Sequence, residues 1–210
     1  GIQREWFSAH LEGVRYAMAA RVRIDNKPLI IFNLHTNFSL EPGEGTTALI
    51  DRAIARGEIP DKSRGDIVRK IEEGSRITDN DIRALGDYVK ETVRKYDHPY
   101  IIMGDLNDNP TNASVYKVLK ASPSQQVAID ITGLYNPMYN MFKKQGIGSN
   151  AYRDGWSLFD QIIVSKGLLG NDRSTLKFYK ALIFNRNFLK QTEGPFAGYP
   201  FRTFVGGQYM

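Results

Sequence analysis

The chain has no cysteine. That excludes disulfides, thiol nucleophiles and thiolate metal sites, and it leaves the compartment open. Any metal bound here is held by oxygen or imidazole, which favours hard cations such as magnesium, manganese or calcium. Histidine is scarce: His10, His35 and His98 are the only three. No apolar run approaches the 18 or so residues of a membrane-spanning helix. No start resembling a signal peptide is present, and Gly1 in place of methionine is compatible with removal of an earlier targeting segment. Internal repeats and low-complexity stretches are also absent. Acidic residues are thin at one end. Residues 140–210 hold 4 Asp/Glu against 10 Lys/Arg, whereas residues 1–139 hold 19 against 18. That excess suits a polyanionic partner, and a solvated basic surface would read the same way.

What is present is ordinary for a folded domain: 210 residues, 41% hydrophobic, 24% charged. Residues 14–24 and 28–35 read as a β-hairpin around the turn-forming Asp25-Asn26-Lys27-Pro28. Residues 45–96 read as helical, in pieces near Thr46–Arg56, Ser63–Glu73 and Asp79–Tyr96. Thr78 or Asp79 is the expected cap of the last piece, and Ile82, Leu85, Val89, Val93 and Tyr96 are its core stripe. A strand is expected over 99–104, a short helix over Ala113–Ala121 capped by Asn112, and a strand near 127–131. Further strands are expected over Phe159–Val164 and Phe178–Phe184. Strands mixed with helices indicate an α/β or α+β layered fold in a single domain spanning 1–210.

The most informative segment is Tyr100-Ile101-Ile102-Met103-Gly104-Asp105-Leu106-Asn107-Asp108-Asn109-Pro110. An apolar strand ends at a glycine, then Asp105 and Asn107 sit two apart, a spacing that points both the same way on extended backbone. A carboxylate beside a carboxamide suits holding a metal or water while donating to a phosphoryl oxygen. A strand leading into an Asp/Asn/Pro turn has the same composition. His35 ends another apolar strand, where an imidazole can donate to phosphate or protonate a leaving group. Asp160, between Phe159 and Ile162, is expected to be partly buried and therefore paired. Arg153 and Arg202 are candidates for bidentate phosphate contact. Tyr152 and Trp156 can stack on a base or pack as core.

Gly104-Asp105-Leu106-Asn107, with Asp108 and Pro110 after it, resembles the signature strand of the endonuclease/exonuclease/phosphatase family, the group that includes deoxyribonuclease I. Asn33-Leu34-His35 is similar to the family's Asn-x-His motif. Asp160-Gln161-Ile162-Ile163-Val164-Ser165 resembles its Asp-x-Ile/Phe-x-x-Ser strand, whose aspartate orients a catalytic histidine. The segments 133–138, 151–156 and 198–204 look like one bacterial branch. The resemblance is strong over about 99–210 and moderate over 14–38. It is absent over about 39–78, which reads as a helical insertion.

The resemblance implies a four-layer α/β/β/α sandwich of the deoxyribonuclease I-like type, incomplete here, and hydrolysis of a phosphodiester or phosphomonoester by in-line attack of water. It assigns His35, Asp105, Asn107 and Asp160 to the chemistry, Asp105 and Asp160 to a cation (Mg2+, or Mn2+ or Ca2+), and a phosphate-containing substrate, nucleic acid among the candidates. Two of the family's parts have no match: the N-terminal asparagine and glutamate, and the C-terminal Ser-Asp-His motif. The chain ends at Gly206-Gly207-Gln208-Tyr209-Met210, and Asp97-His98-Pro99 reads as a helix stop. A second expectation follows, that of a non-catalytic phosphate- or nucleic-acid-binding remnant of the same scaffold.

Overall fold

The computed structural model describes residues 4–9, 16–36, 44–152, 155–201, 204–205 and 208–209. In chain order the elements are β1 (Arg4–Ala9), β2 (Tyr16–Ile24), β3 (Lys27–His35), α1 (Glu44–Ala55), α2 (Arg64–Tyr96), β4 (Tyr100–Asp105), α3 (Gln125–Val127), β5 (Leu134–Tyr135), α4 (Met138–Gln145), β6 (Asn150–Tyr152), β7 (Gly155–Ser157), β8 (Asp160–Ser165), β9 (Phe204–Val205) and β10 (Gln208–Tyr209).

Six strands form the main sheet in the order β1-β2-β3-β4-β8-β5. β2 and β3 pair antiparallel around Asp25 and Asn26, both left-handed (φ 49° and 63°), the geometry that a tight hairpin demands and that Asp and Asn tolerate. β3 and β4 run parallel, so the chain must cross back between them, and α1 and α2 make that crossover. β8 then pairs antiparallel with β4.

Strand alternation sorts the side chains onto two faces. Ile30, Phe32 and Leu34 of β3, Ile102 of β4 and Ile163 of β8 share one face and pack against Ile82, Leu85 and Val89 of α2. Phe32 meets Tyr88 and Tyr100 edge-on, with ring centroids 5.8 Å apart in each case. On the other face Leu29, Ile31, Ile101 and Val164 gather with Leu168, Leu169 and Phe178. Towards the far end of β8 this second face opens: Asn33 is exposed, and Ile162 keeps 46% of its surface.

Four sequence expectations are corrected. The 33 residues of α2 form one helix, so no cap interrupts it at Thr78 or Asp79. A Thr-Asp pair costs only tenths of a kcal/mol per residue, too little to break a helix that packs on a sheet. The helix stops at Tyr96 because Asp97 turns left-handed (φ 45°), its N–H donates to the Val93 carbonyl, and Pro99 follows. Residues 127–131 are helical, not extended: the Ser124 hydroxyl accepts from the Val127 N–H, and a turn of π-helix, Ala128–Thr132, follows α3. The apolar alternation there turns outward, leaving Ile131 79% exposed. The segment 178–184 forms no strand because, among the described residues, no free sheet edge pairs with it, and Tyr179, Leu182 and Phe184 stay exposed. Finally, the expected helix Ala113–Ala121 contracts to a π-helical turn, Ser114–Val118. The Asn112 carbonyl, not its side chain, receives the N–H groups of Val115 and Tyr116.

Candidate functional site

The register of three neighbouring strands creates the site. His35 of β3 stands opposite Asp105 of β4, and Asp105 stands opposite Asp160 of β8. All three lie on the open face, so they form a row across the sheet at the end of β4. The His35 imidazole Nε2 is 3.7 Å from Asp105 Oδ2, an ion pair when the histidine is protonated, and both side chains are about two-fifths exposed (41% and 38%).

Gly104 makes this closeness attainable. Its φ is +133°, and a Cβ there would sit 1.9 Å from the Leu34 carbonyl oxygen. No side chain fits, so β4 draws against β3 one residue before Asp105. The chain ends are then stitched. The Thr36 N–H donates to the Asp105 carbonyl at 3.1 Å, and the Thr36 hydroxyl donates to the Leu106 carbonyl.

Asn107 reaches the site by a turn and not by strand alternation. It is left-handed (φ 49°), its N–H donates to Asp105 Oδ1 at 2.8 Å, and its side-chain Nδ2 donates to the Thr36 carbonyl at 2.7 Å. One Asp105 oxygen is therefore held from behind while Oδ2 faces His35. Among the described residues the second N–H of the Asn107 amide meets no acceptor.

Asp160 opens β8 on the sheet's open face, exposed yet partly desolvated beside its apolar neighbours. Partial desolvation raises its carboxyl above the usual aspartate value, and the adjacent Asp105 carboxylate raises it further. A bond to its own backbone amide and the nearby His35 pull partly the other way.

Behind the row lies a polar cluster that sequence reasoning did not assign to the site. Asp108, 3% exposed, accepts from Asn112 Nδ2 at 2.7 Å and from the Ser114 hydroxyl. Its carbonyl accepts from Gln161 Nε2 at 2.6 Å, and Gln161 Oε1 accepts from Asn136 Nδ2 at 2.8 Å. Asn109 Oδ1 accepts the Leu158 N–H at 2.8 Å, tying the loop to the approach of β8. The available signal was a second acid directly after the Asp105 turn, and a glutamine inside an apolar strand.

Trp156 of β7 is 38% exposed and stacks at a tilt on Tyr199, ring centroids 5.4 Å apart. Tyr152 belongs to β6, and its side chain lies outside the described set. Arg153 and Arg202 lie outside the described residues.

Among the described residues no group of three or more His, Asp or Glu side chains is placed to hold a metal ion. Asp105 and Asp160 still fit a hard cation chemically. Magnesium takes one or two protein carboxylates and completes its shell with water and substrate phosphate. The repulsion that raises Asp160 is what such a cation relieves.

The family described as Endonuclease/Exonuclease/phosphatase matches residues 72–210, a span that includes β4, the Asp105 turn and β8. The chain belongs to the endonuclease/exonuclease/phosphatase family. Its mixed sheet with helices is of that family's α/β sandwich class. Similar solved structures include the human Nocturnin catalytic domain with bound sulfate anion (14% identity, 79% of this chain and 48% of that one, TM-score 0.43). A truncated TDP2 of Caenorhabditis elegans matches at 13% identity over 84% of this chain and 62% of that one, TM-score 0.45. A β-hairpin deletion mutant of Staphylococcus aureus beta toxin matches at 14% identity over 90% of this chain and 55% of that one, TM-score 0.37. This family member therefore spans 48–62% of the length of these structures. No curated protein matches the chain in sequence. Among the described residues no helix is long and apolar enough to cross a membrane.

Proposed function

We propose that this chain carries the phosphoryl-handling part of a divalent-cation-dependent phosphoester hydrolase, cleaving a phosphodiester or phosphomonoester by in-line attack of water. One observation supports it above the rest: His35, Asp105 and Asp160 share a row on one open face in a member of a phosphoester-cleaving family. Asp105, held at Oδ1 by the Asn107 N–H, keeps Oδ2 for positioning the attacking water and taking its proton. The second amide hydrogen of Asn107 donates to a non-bridging phosphoryl oxygen. Protonated His35 donates to the phosphoryl group or the leaving oxygen. Asp160 keeps the far side of the row anionic, orients its neighbours and shares the cation with Asp105. A bound magnesium, manganese or calcium ion supplies charge neutralisation at phosphorus. Arg153 and Arg202 serve phosphate contact in this reading, and Tyr152 and Trp156 serve contact with a base or apolar group. The substrate carries phosphate, with nucleic acid one candidate. The domain is single, with a helical insertion over about 39–78.

The test is magnesium-dependent hydrolysis of bis-p-nitrophenyl phosphate. Asp105→Asn should slow it by roughly 10²–10⁴-fold, and Asn107→Ala by about 10²-fold. Unchanged rates in both variants would sink the assignment.

A second reading is a non-catalytic phosphate- or nucleic-acid-binding remnant, favoured by the lack of a three-ligand cluster among the described residues. It predicts polyanion binding that weakens with salt, and no turnover. Metal-stimulated turnover abolished by Asp105→Asn excludes it.

A further inference from the structure

After β8 the chain runs over the surface, and residues 176–186 form neither helix nor strand. Both ends of this stretch are tied down. At its start the Phe178 N–H donates to the Leu168 carbonyl at 2.7 Å, and the Phe178 ring meets Tyr135 edge-on. At its far end the Leu189 carbonyl accepts the Phe201 N–H at 2.9 Å. Residues 179–188 arch between these ties.

The arch holds large apolar side chains in water. Tyr179 is 87% exposed, Leu182 71%, Phe184 67% and Phe188 70%. A single exposed apolar residue is ordinary, whereas a contiguous patch marks an interaction surface. These side chains are contiguous. Lys180, Leu182 and Phe184 are exposed while Ala181 and Ile183 between them are half-buried, an alternation that turns one side of the segment outward. Phe188 then returns against Phe184, ring centroids 6.3 Å apart.

The same stretch is basic. Arg173, Lys177, Lys180, Arg186 and Lys190 fall between Asp172 and Glu193 with no acid among them. At the border, Asp172 accepts from the Ser174 hydroxyl at 2.8 Å. Lys177 serves the fold, donating to the Gly167 and Leu169 carbonyls. Lys180 and Arg186 stand exposed among the apolar side chains. Lys180 Nζ lies 5.6 Å over the Tyr179 ring, and the Arg186 guanidinium lies 5.6 Å over the Phe184 ring.

Aromatic and aliphatic side chains level with cations suit the boundary between acyl chains and anionic head groups. Single-stranded nucleic acid wants open ring faces on which bases stack. Here a cation covers one face of Tyr179 and of Phe184, and Leu182 has no ring to offer. We propose that residues 179–188 dock this protein on the surface of a bilayer rich in anionic phospholipid. Leu182, Phe184 and Phe188 enter the boundary, and Lys180 and Arg186 meet the head groups. The segment lies on the membrane and does not span it. The proposal does not depend on catalysis at Asp105.

The test is co-sedimentation of the 210-residue chain with vesicles of phosphatidylcholine alone, or of phosphatidylcholine and phosphatidylglycerol in equal parts. The expected result is binding to the anionic vesicles that weakens with salt, and roughly tenfold weaker binding to phosphatidylcholine alone. Lys180→Glu with Arg186→Glu should weaken anionic-vesicle binding by roughly tenfold or more. Leu182→Ser with Phe184→Ser should do the same by removing the apolar contact. All four positions are exposed, so far-UV circular dichroism should stay unchanged in both variants. Ile131→Ser, at an exposed apolar position outside the arch, should bind like the parent. No binding to anionic vesicles, equal binding to phosphatidylcholine alone, or full binding in either double variant would overturn the proposal. So would binding of single-stranded oligothymidine through Lys180 and Arg186 by a protein that ignores both kinds of vesicle.

Discussion

Asp105 and Asp108 stand three residues apart and live in opposite conditions. Asp108 is 3% exposed, and its carboxylate is met by Asn112 and Ser114. Asp105 is 38% exposed at its side chain, with one oxygen fixed by the Asn107 N–H and the other 3.7 Å from a histidine. A buried carboxylate without donors is costly, so Asp108 is satisfied and structural. Among the described residues Asp105 keeps acceptor capacity to spare at a water-accessible place, which suits the proposed contact with a substrate or cation. The same contrast separates Gln161 from Asp160 on β8: one side chain is 2% exposed and doubly bonded, while its neighbour faces Asp105 across the open face. Adjacent residues alternate between holding the frame and facing outward.

Perturbing the frame should have the largest effect. Gly104→Ala puts a Cβ 1.9 Å from the Leu34 carbonyl at a φ of +133°. It should destabilise the fold on the order of 4 kcal/mol, read as a lowered urea midpoint and loss of any activity. Gln161→Leu keeps the volume but strands the Asp108 carbonyl and the Asn136 amide. A loss of about 2–3 kcal/mol is expected by urea denaturation. If it proves neutral, the polar cluster does not brace the loop.

The open row should behave otherwise. Asp160 has a carboxyl raised by desolvation and by Asp105. An acid whose folded pKa exceeds its unfolded value binds more protons in the native state, so stability falls as pH rises from the unfolded aspartate value through the folded one. Asp160→Asn should remove that slope and stabilise the protein at pH 7, by about 0.5 kcal/mol or less given solvent screening. Thermal melts of both proteins between pH 3 and pH 7 check the sign. A destabilised Asp160→Asn at pH 7 would mean that Asp160 is paired and not repelled.

The strands of the site were legible because each is an apolar run with a polar residue at its end: His35 after Ile30-Ile31-Phe32, and Asp105 after Ile101-Ile102-Met103. Their alignment in one row was not legible, since register is a property of paired strands. Asn107 was expected beside Asp105 by strand alternation, whereas its left-handed turn onto the Thr36 carbonyl depends on β3 lying alongside. Val127, Ile129 and Ile131 alternate as a strand would, yet the segment is helical and turns Ile129 and Ile131 outward, burying Ala128 instead. Phe178–Phe184 has strand composition without a partner edge among the described residues. The stripe of α2 was read correctly, with Ile82, Leu85 and Val89 all buried. Its continuity past residue 78 follows from packing on the sheet and not from propensity.

The most direct test of the central claim is a crystal soaked with manganese and phosphate, read by anomalous scattering. The account predicts a manganese peak touched by the carboxylates of Asp105 and Asp160, with phosphate within hydrogen-bond reach of His35 Nε2 and Asn107 Nδ2. Manganese and phosphate bound elsewhere, with the row left empty, would contradict it.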